Sequence, residues 1–244
     1  MSQFTLGRAK AQMVKSMEEY YNAIQVNIQF SGSELKVITV TSVQPAEGKS
    51  TTSTNLAISF ATSGYRTLLI DADIRNSVMT GTFKAEEAYH GLTSYLSGHV
   101  DMYQVIHDTS VQNLNIIPAG QVPPNPTTLL QNARFEKLLE FVRERFDYII
   151  IDTPPIGLVV DAAIVAQKTD GSILVTESGA ISRRFVKKAV EQMEQSGAQF
   201  LGVILNKVDT TKDKYGSYGA YGAYGAYGAY GNYGNYGREP EMDS

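Results

Sequence analysis

Six continuous apolar segments alternate with helix patterns over residues 36–209, and this alternation restricts the fold more than any other feature of the chain. Segments that are apolar at nearly every position are typical of parallel strands covered by helices on both faces. Helical crossovers between such strands give a doubly wound, mostly parallel α/β sheet flanked by helices. The predicted strands are 36–42, 66–71, 114–119, 147–152, 171–177 and 200–206, and the predicted helices are 50–62, 127–146, 160–167 and 182–196.

The segments on either side of this region have different patterns. Residues 1–31 predict a helical arm with one apolar stripe, which would pack either on the domain's own core or against a second protomer. Residues 215–237 repeat tyrosine and glycine with a period of three, and they contain too little apolar surface to offset the entropy of ordering. We therefore expect a helical arm (1–31), a central domain (32–211) and a disordered tail (212–244). The stripe consists of Val14, Met17, Tyr21, Ile24 and Ile28.

The composition excludes several classes of function. The 244 residues include no cysteine, which rules out disulfides, cysteine metal sites and thiol nucleophiles. The net charge of −4 argues against general nucleic-acid binding. No apolar stretch reaches the roughly 18–20 residues that span a bilayer, and the N-terminus lacks the apolar region of a signal peptide. We therefore expect a cytoplasmic protein that meets a membrane only through a partner.

A Gly-Lys-Ser step lies between the first strand of the alternating region and the helix that follows. This is the second half of a phosphate-binding P-loop, whose backbone N–H groups and helix N-terminus would hold phosphates. Lys49 would neutralise the β- and γ-phosphates, and the Ser50 hydroxyl would bind Mg²⁺. Val43 stands where the usual motif has its first glycine. The predicted nucleotide contacts of this loop are Pro45, Ala46, Glu47, Gly48, Lys49, Ser50 and Thr51.

Carboxylates follow two other predicted strands. Asp71 and Asp73 lie two residues apart at the end of an apolar strand, so both project to the same side. Beside a P-loop, such a pair suits a Mg²⁺ ligand and a base that orients the attacking nucleophile. Asp152 ends the run Tyr-Ile-Ile-Ile and matches a Walker B strand, whose carboxylate would hold Mg²⁺ through water. The predicted catalytic residues are Lys49, Asp71, Asp73 and Asp152, and the predicted metal ligands are Ser50, Asp71 and Asp152.

The end of the last strand bears on the choice of nucleotide. Asn206, Lys207 and Asp209 are spaced as in the guanine-reading motif of GTPases, but an asparagine at this position also contacts adenine in some P-loop ATPases. The three carboxylate positions favour ATP. Arg75 and Asn206 are therefore added to the predicted nucleotide contacts.

Two further groups of residues have simpler interpretations. The histidines at positions 90, 99 and 107 match no metal-ligand spacing and are expected to be surface or core residues. Arg183, Arg184, Lys187 and Lys188 share one face of the predicted helix 182–196. This face is either simply solvated or a site for an acidic partner or a membrane lipid.

Four features taken together resemble the bacterial protein-tyrosine kinases, and most closely the capsule and exopolysaccharide biosynthesis kinases (CpsD/EpsD type) of streptococci and related Gram-positive bacteria. They are the P-loop, the doublet Asp71-x-Asp73-x-Arg75, the segment Ile-Ile-Ile-Asp-Thr-Pro-Pro at 149–155 and the tyrosine-rich tail. The resemblance covers residues 18–237. ATPases of the MinD and ParA type share the P-loop and much of the sheet, so it implies a MinD/ParA-like P-loop NTPase fold.

The resemblance implies autophosphorylation of C-terminal tyrosines with MgATP, and through it regulation of polysaccharide polymerisation and export. The implied partners are a membrane-anchored activator that completes the nucleotide site at the inner face of the plasma membrane, a cognate tyrosine phosphatase and further copies of the chain. Asp73 is the best candidate for the base, with Asp71 second. The acceptors would be Tyr215, Tyr218, Tyr221, Tyr224, Tyr227, Tyr230, Tyr233 and Tyr236.

One family pattern is missing. Many members carry Glu-x-x-Arg-x-x-Arg in the first helix and use it in ring-shaped oligomers. This chain has Glu19, Asn22 and Gln25 at those positions, so both arginines are absent.

Two alternatives come from other classes of function. A switch ATPase of the MinD type would use water as the nucleophile, but such proteins end in an amphipathic membrane helix and carry an early P-loop lysine where this chain has Gln44. A non-catalytic scaffold would associate through its Tyr-Gly repeats. The intact P-loop and carboxylates argue against a scaffold.

Overall fold

One mostly parallel sheet organises the computed structural model, which describes residues 3–209. Within these residues the strands are β1 (Gln3–Leu6), β2 (Val37–Ser42), β3 (Thr67–Asp71), β4 (Phe83–Ala85), β5 (His107–Thr109), β6 (Leu114–Ile117), β7 (Tyr148–Asp152), β8 (Gly171–Glu177) and β9 (Gln199–Asn206). The helices are α1 (Arg8–Ser16), α2 (Glu18–Ser31), α3 (Lys49–Thr62), α4 (Leu92–Leu96), α5 (Pro126–Gln131), α6 (Ala133–Arg143), α7 (Asp161–Ala166) and α8 (Arg183–Glu194). The predicted tail, 212–244, lies outside the described residues.

The strand order is β4-β1-β5-β6-β3-β7-β2-β8-β9. Six neighbouring strands in this order, β6-β3-β7-β2-β8-β9, all run parallel. They are the six strands that the apolar segments predicted. In a parallel sheet the carboxyl ends of the strands meet at one edge. The chain segments that follow β2, β3, β7 and β9 therefore come together there. Asp71 and Asp152 are direct neighbours in the register of β3 and β7.

The central strands are buried on both faces because alternate residues enter different cores. Leu68 and Ile70 of β3 pack on the side of α6, whereas Leu69 packs on the side of α2 and α3. Ile149 and Ile151 of β7 join the first core, and Ile150 joins the second. This two-sided burial explains why these strands are apolar at every position rather than at every second one.

The N-terminal arm packs on the domain's own core. Tyr21 and Ile28 of the predicted stripe are buried, and the rest of the stripe packs partly buried against the same core. The arm is not helical throughout, because residues 3–6 form β1, which is inserted between β4 and β5. Asn22 and Gln25 also face the domain, since Ser59 Oγ lies 2.7 and 2.8 Å from their side-chain oxygens.

Two other predictions differ from the structure. The predicted helix 127–146 is divided into α5 and α6 at Asn132, whose side chain accepts a hydrogen bond from the Arg134 N–H and so begins the second helix. The region 75–110, where the sequence pattern indicates only an insertion with weak short helices, also contributes β4 and β5 to the sheet. Among the helices of the described residues, none combines the length and apolarity needed to cross a bilayer.

The packing of the arm predicts a difference between two substitutions on α2. Ile28→Ala should lower the free energy of unfolding by about 2–4 kcal/mol, because it leaves a cavity under a buried side chain. Val26→Ala, at an exposed position of the same helix, should change it by less than about 0.5 kcal/mol. Urea denaturation of both variants measures the difference, and equal values would contradict packing of α2 on the core.

Candidate active site

The P-loop leaves β2 at Ser42 and enters α3 at Lys49. Gly48 adopts φ 95°, a left-handed conformation that favours glycine. A Cβ atom at this position would lie 2.1 Å from Nδ2 of Asn206. Glycine is therefore required here both by the turn and by the close approach of the chain from β9.

Glu47 braces the loop from inside the protein. Its side chain is fully buried, and its two oxygens accept hydrogen bonds from different parts of the fold. Oε2 accepts from the Gln44 N–H at 2.8 Å. Oε1 accepts from Thr176 Oγ1 at 2.8 Å and from the Glu177 N–H at 3.2 Å. The side chain of this predicted nucleotide contact thus ties the loop to β8 and points away from the cavity above it.

The end of β9 holds the loop from a second side. Asn206 Nδ2 donates to the carbonyl oxygen of Glu47 at 2.9 Å. Lys207 Nζ donates to the carbonyl oxygen of Ala46 at 2.8 Å and pairs with Glu177 Oε2 at 2.7 Å. Asn206 was predicted to contact nucleotide, and here its amide contacts the P-loop backbone.

Lys49 is the centre of the charged groups. Its Nζ lies 2.8 Å from Asp73 Oδ2, 3.6 Å from Asp152 Oδ2 and 3.1 Å from Ser50 Oγ. Burial alone lowers the pKa of Lys49, but the attraction of Asp152, Asp73 and Asp71 outweighs it, and the pKa is raised. The ammonium group is therefore charged and directed at the acidic cluster, the name used below for Asp71, Asp73 and Asp152.

Two members of the acidic cluster are almost completely buried. Burial raises the pKa of Asp71 to about 8, and the neighbouring Asp152 carboxylate contributes to this increase. Burial also raises the pKa of Asp152, against the attraction of Lys49. Ser77 Oγ donates to Asp71 Oδ2, and Ser53 Oγ donates to Asp152 Oδ1 at 3.1 Å. Neither serine belongs to a motif that the sequence alone reveals, although Ser53 follows Lys49 by one helical turn.

Arg75 is fixed by partners that are distant in sequence. Its guanidinium forms a two-point contact with Asp161, at 2.6 Å from Nε and 3.2 Å from Nη2. Nη2 also donates to Thr127 Oγ1 at 2.8 Å. Asp161 is buried, so α7 and α5 hold this arginine at the rim of the site.

A cavity of about 540 Å³ lies over the P-loop, a volume that suits a nucleotide. Eight of the predicted site residues line it, whereas Asp71 and Asp152 lie beneath it and the Asn206 amide faces the loop. Lys207 and the turn at Pro154 and Pro155 also line the cavity. The predicted residues in the lining are Pro45, Ala46, Gly48, Lys49, Ser50, Thr51, Asp73 and Arg75.

The donor set fits a hard divalent cation that is shared with phosphates. The carboxylates of Asp71 and Asp152 and the hydroxyl of Ser50 offer oxygen ligands. Both carboxylates are buried and have raised pKa values, so an added positive charge would favour their ionised forms. Among residues 3–209 there is no group of three or more histidine, aspartate or glutamate side chains arranged to hold a metal unaided. A cation here would complete its shell with water and nucleotide oxygens, as Mg²⁺ prefers.

The bracing role of Glu47 predicts a loss of stability on a nearly isosteric change. Glu47→Gln places an NH₂ group against one of the hydrogen-bond donors that now face a carboxylate oxygen, so it should lower the free energy of unfolding by about 1–3 kcal/mol. Glu87→Gln, at an exposed position, is the control. Chemical denaturation measures both, and an unchanged Glu47→Gln variant would contradict the bracing role.

Comparison with known proteins places these features in a family. Residues 35–199 match a family model described as an AAA domain. The tyrosine-protein kinase CpsD of Streptococcus agalactiae serotype III (strain NEM316) is 59% identical over 216 residues, which cover 88% of this chain and 93% of that protein. The kinase domain of the Escherichia coli tyrosine kinase ETK superposes with a TM-score of 0.75 at 34% identity, covering 78% of this chain and 75% of that one.

A more distant likeness concerns the fold alone. The septum site-determining protein MinD of Pyrococcus horikoshii, in complex with Mg-ADP, has a TM-score of 0.60 at 23% identity and covers 70% of each chain. This likeness confirms the predicted P-loop NTPase fold. Because the high-identity matches carry the name tyrosine-protein kinase and span most of the sequence, the chain belongs to the bacterial tyrosine-protein kinase family.

Proposed function

We propose that this chain transfers the γ-phosphoryl group of MgATP to tyrosine residues of its own C-terminal repeat and thereby regulates capsular or exopolysaccharide production. Its family is that of tyrosine-protein kinases. The observation that supports the proposed transfer is the position of Lys49. It lies between Asp73 and Asp152 and lines the cavity over the P-loop.

Lys49 is placed to exchange one anionic partner for another in the proposed reaction. Its ammonium group lies 2.8 Å from Asp73 Oδ2. The β- and γ-phosphates would compete for the same ammonium group, since they carry more negative charge than one carboxylate. Lys49 would then stabilise the negative charge of the transferring phosphoryl group together with the N–H groups at the start of α3.

Ser50, Asp71 and Asp152 would hold Mg²⁺. When bound, the ion neutralises negative charge on the β- and γ-phosphate oxygens. The fixed position of the two carboxylates follows from the register of β3 and β7, in which they are direct neighbours.

Asp73 is the better candidate for the group that accepts the tyrosine proton. The unperturbed pKa of a phenol is near 10, so the hydroxyl must be oriented by an acceptor at the moment of transfer. Asp73 lines the cavity, and release from Lys49 would free its Oδ2. Asp71 lies below the cavity, and its oxygens already accept from Ser77 Oγ and the Asp73 N–H.

The proposed acceptors lie outside the described residues. They are eight tyrosines between positions 215 and 236, each followed by glycine. A fully extended chain of that length reaches on the order of 75 Å. Its repeated Tyr-Gly units would offer equivalent acceptors in any register, so transfer would need no unique docking position.

Partners complete the proposal. The cavity rim carries exposed apolar side chains, Val78 and Leu158, which suit a segment of a membrane-anchored activator. Such a partner would recruit the kinase to the inner face of the plasma membrane, and a cognate tyrosine phosphatase would reverse the modification. Homo-oligomers would form without contacts from Asn22 and Gln25, whose side chains are engaged by Ser59 within the chain.

Intact-mass analysis after incubation with MgATP and the activator's cytoplasmic segment tests the kinase assignment. We expect stepwise gains of one phosphate each, which peptide mapping locates between Tyr215 and Tyr236. Lys49→Met should lower the rate by at least about 100-fold, because it removes the cation at the transferring group. Lys15→Met, at an exposed position of α1, is the control. Steady ADP release without any gain in mass would favour a switch ATPase instead.

A second variant tests the role of Asp73. Asp73→Asn should slow phosphorylation by about 10²–10⁴-fold, because an amide cannot accept the phenol proton. Nucleotide binding should be retained or become tighter, because Lys49 loses a competitor for the phosphates. Asp108→Asn, at an exposed position, serves as control. Single-turnover phosphorylation and nucleotide titration separate the two effects, and an unchanged transfer rate would exclude Asp73 as the base.

A further inference from the structure

The first two turns of α8 present a positively charged surface to solvent. It consists of Arg183, Arg184, Lys187 and Lys188, all of which are exposed, and it is called the basic face of α8 below. Among residues 3–209, the ion pairs of these four side chains are limited to a loose contact of Lys187 with Glu191 at 3.9 Å. Three guanidinium or ammonium groups therefore have no anionic partner in the described part of the chain.

Helix stability does not explain this arrangement. A helix dipole favours acidic side chains in the first turn and basic ones in the last turn. The first turn of α8 contains Arg183 and Arg184 and no acidic residue, whereas Glu194 ends the helix. The charges thus run against the dipole, so the basic face does not stabilise α8 through this interaction.

An aromatic side chain lies within the same two turns. Phe185 is 58% exposed, although α8 buries Ala189 and Met193 against the sheet. A convex helix surface that combines several cations with an exposed phenylalanine is typical of helices that bind the interface of anionic membranes. The apolar layer of a membrane interface receives the phenyl ring of Phe185, whereas an acidic peptide recognised by its charge alone offers this ring no apolar partner.

The location of the basic face gives the contact an orientation. β8, which precedes α8, ends at Glu177, and the Glu177 N–H donates to the P-loop residue Glu47. The first turns of α8 therefore lie at the same edge of the sheet as the cavity. If α8 binds a membrane, the edge of the sheet that carries the candidate active site lies next to that membrane.

We propose that the basic face of α8, together with Phe185, docks directly on the headgroups of anionic phospholipids. This contact goes beyond recruitment by a protein partner and is independent of the proposed kinase chemistry. The cations attract the phospholipid headgroups, and the phenyl ring enters the interfacial layer.

Flotation of the full-length chain with phosphatidylcholine vesicles, with and without phosphatidylglycerol, tests this proposal. We expect binding only to the anionic vesicles and a decrease as salt is added. The variant R183Q/R184Q/K187Q/K188Q should lose at least about tenfold in partition. Phe185→Ser should weaken binding by a smaller factor while leaving the charge unchanged.

The matched control is R8Q/K15Q/K84Q/K137Q, which removes the same number of positive charges from other exposed positions. It should bind the anionic vesicles nearly as well as the unmodified chain. Equal losses in both quadruple variants would mean that only net charge matters, and this would overturn the proposal. Tighter binding of the basic face to duplex DNA or to polyglutamate than to vesicles would also overturn it.

Phosphorylation in solution keeps this test separate from the proposed function. The α8 variant should phosphorylate its tail at the unmodified rate when no vesicles are present, because its changes lie outside the catalytic residues. If the unmodified chain shows no kinase activity but still binds anionic vesicles, the proposed function is wrong and the proposed lipid contact is retained. Circular dichroism and thermal unfolding verify that each variant is folded.

Discussion

The buried charge contact of Lys49 with the acidic cluster is the interaction on which the candidate site depends. A lysine and carboxylates this deeply buried are stable only as partners, because each isolated charge would carry a large desolvation penalty. The carboxylates outnumber the single ammonium group, and burial, together with repulsion between the carboxylates, raises the pKa of Asp71 and of Asp152. The site thus contains an excess of acidic groups over basic ones. This excess suits a site that takes up a divalent cation together with its ligand.

The rigid sheet holds this arrangement, and the P-loop depends on the strands beside it. Glu47 joins the loop to β8, while Asn206 and Lys207 join it to the end of β9. These contacts involve the Glu47 side chain and the carbonyl oxygens of Ala46 and Glu47. Arg75 is held in a comparable way by α7 and α5 at the opposite rim. Preorganisation of this kind avoids reorganisation at the moment of reaction.

The sequence predicted the elements whose signal is local and long. The six central strands were recognisable because burial on both faces makes them apolar throughout, and Gly48-Lys49-Ser50 and Asp152 were recognisable by their place at strand ends. The short strands β1, β4 and β5 carry no pattern of sufficient length, so their pairing was not predicted. The side-chain role of Glu47 and the contact of Arg75 with Asp161, 86 residues away, arise only when distant segments meet in the fold.

The hydrogen bond from Asn206 to the carbonyl oxygen of Glu47 forms late in protein synthesis on the ribosome. Its two residues are 159 positions apart, and the strand that supplies Asn206 is the last one of the sheet. A nascent chain whose β9 has not yet left the ribosome contains the Gly-Lys-Ser motif. It lacks the contacts of Asn206 and Lys207 with the P-loop backbone. The P-loop can therefore acquire the contacts described here only after β9 has been synthesised and has joined the sheet.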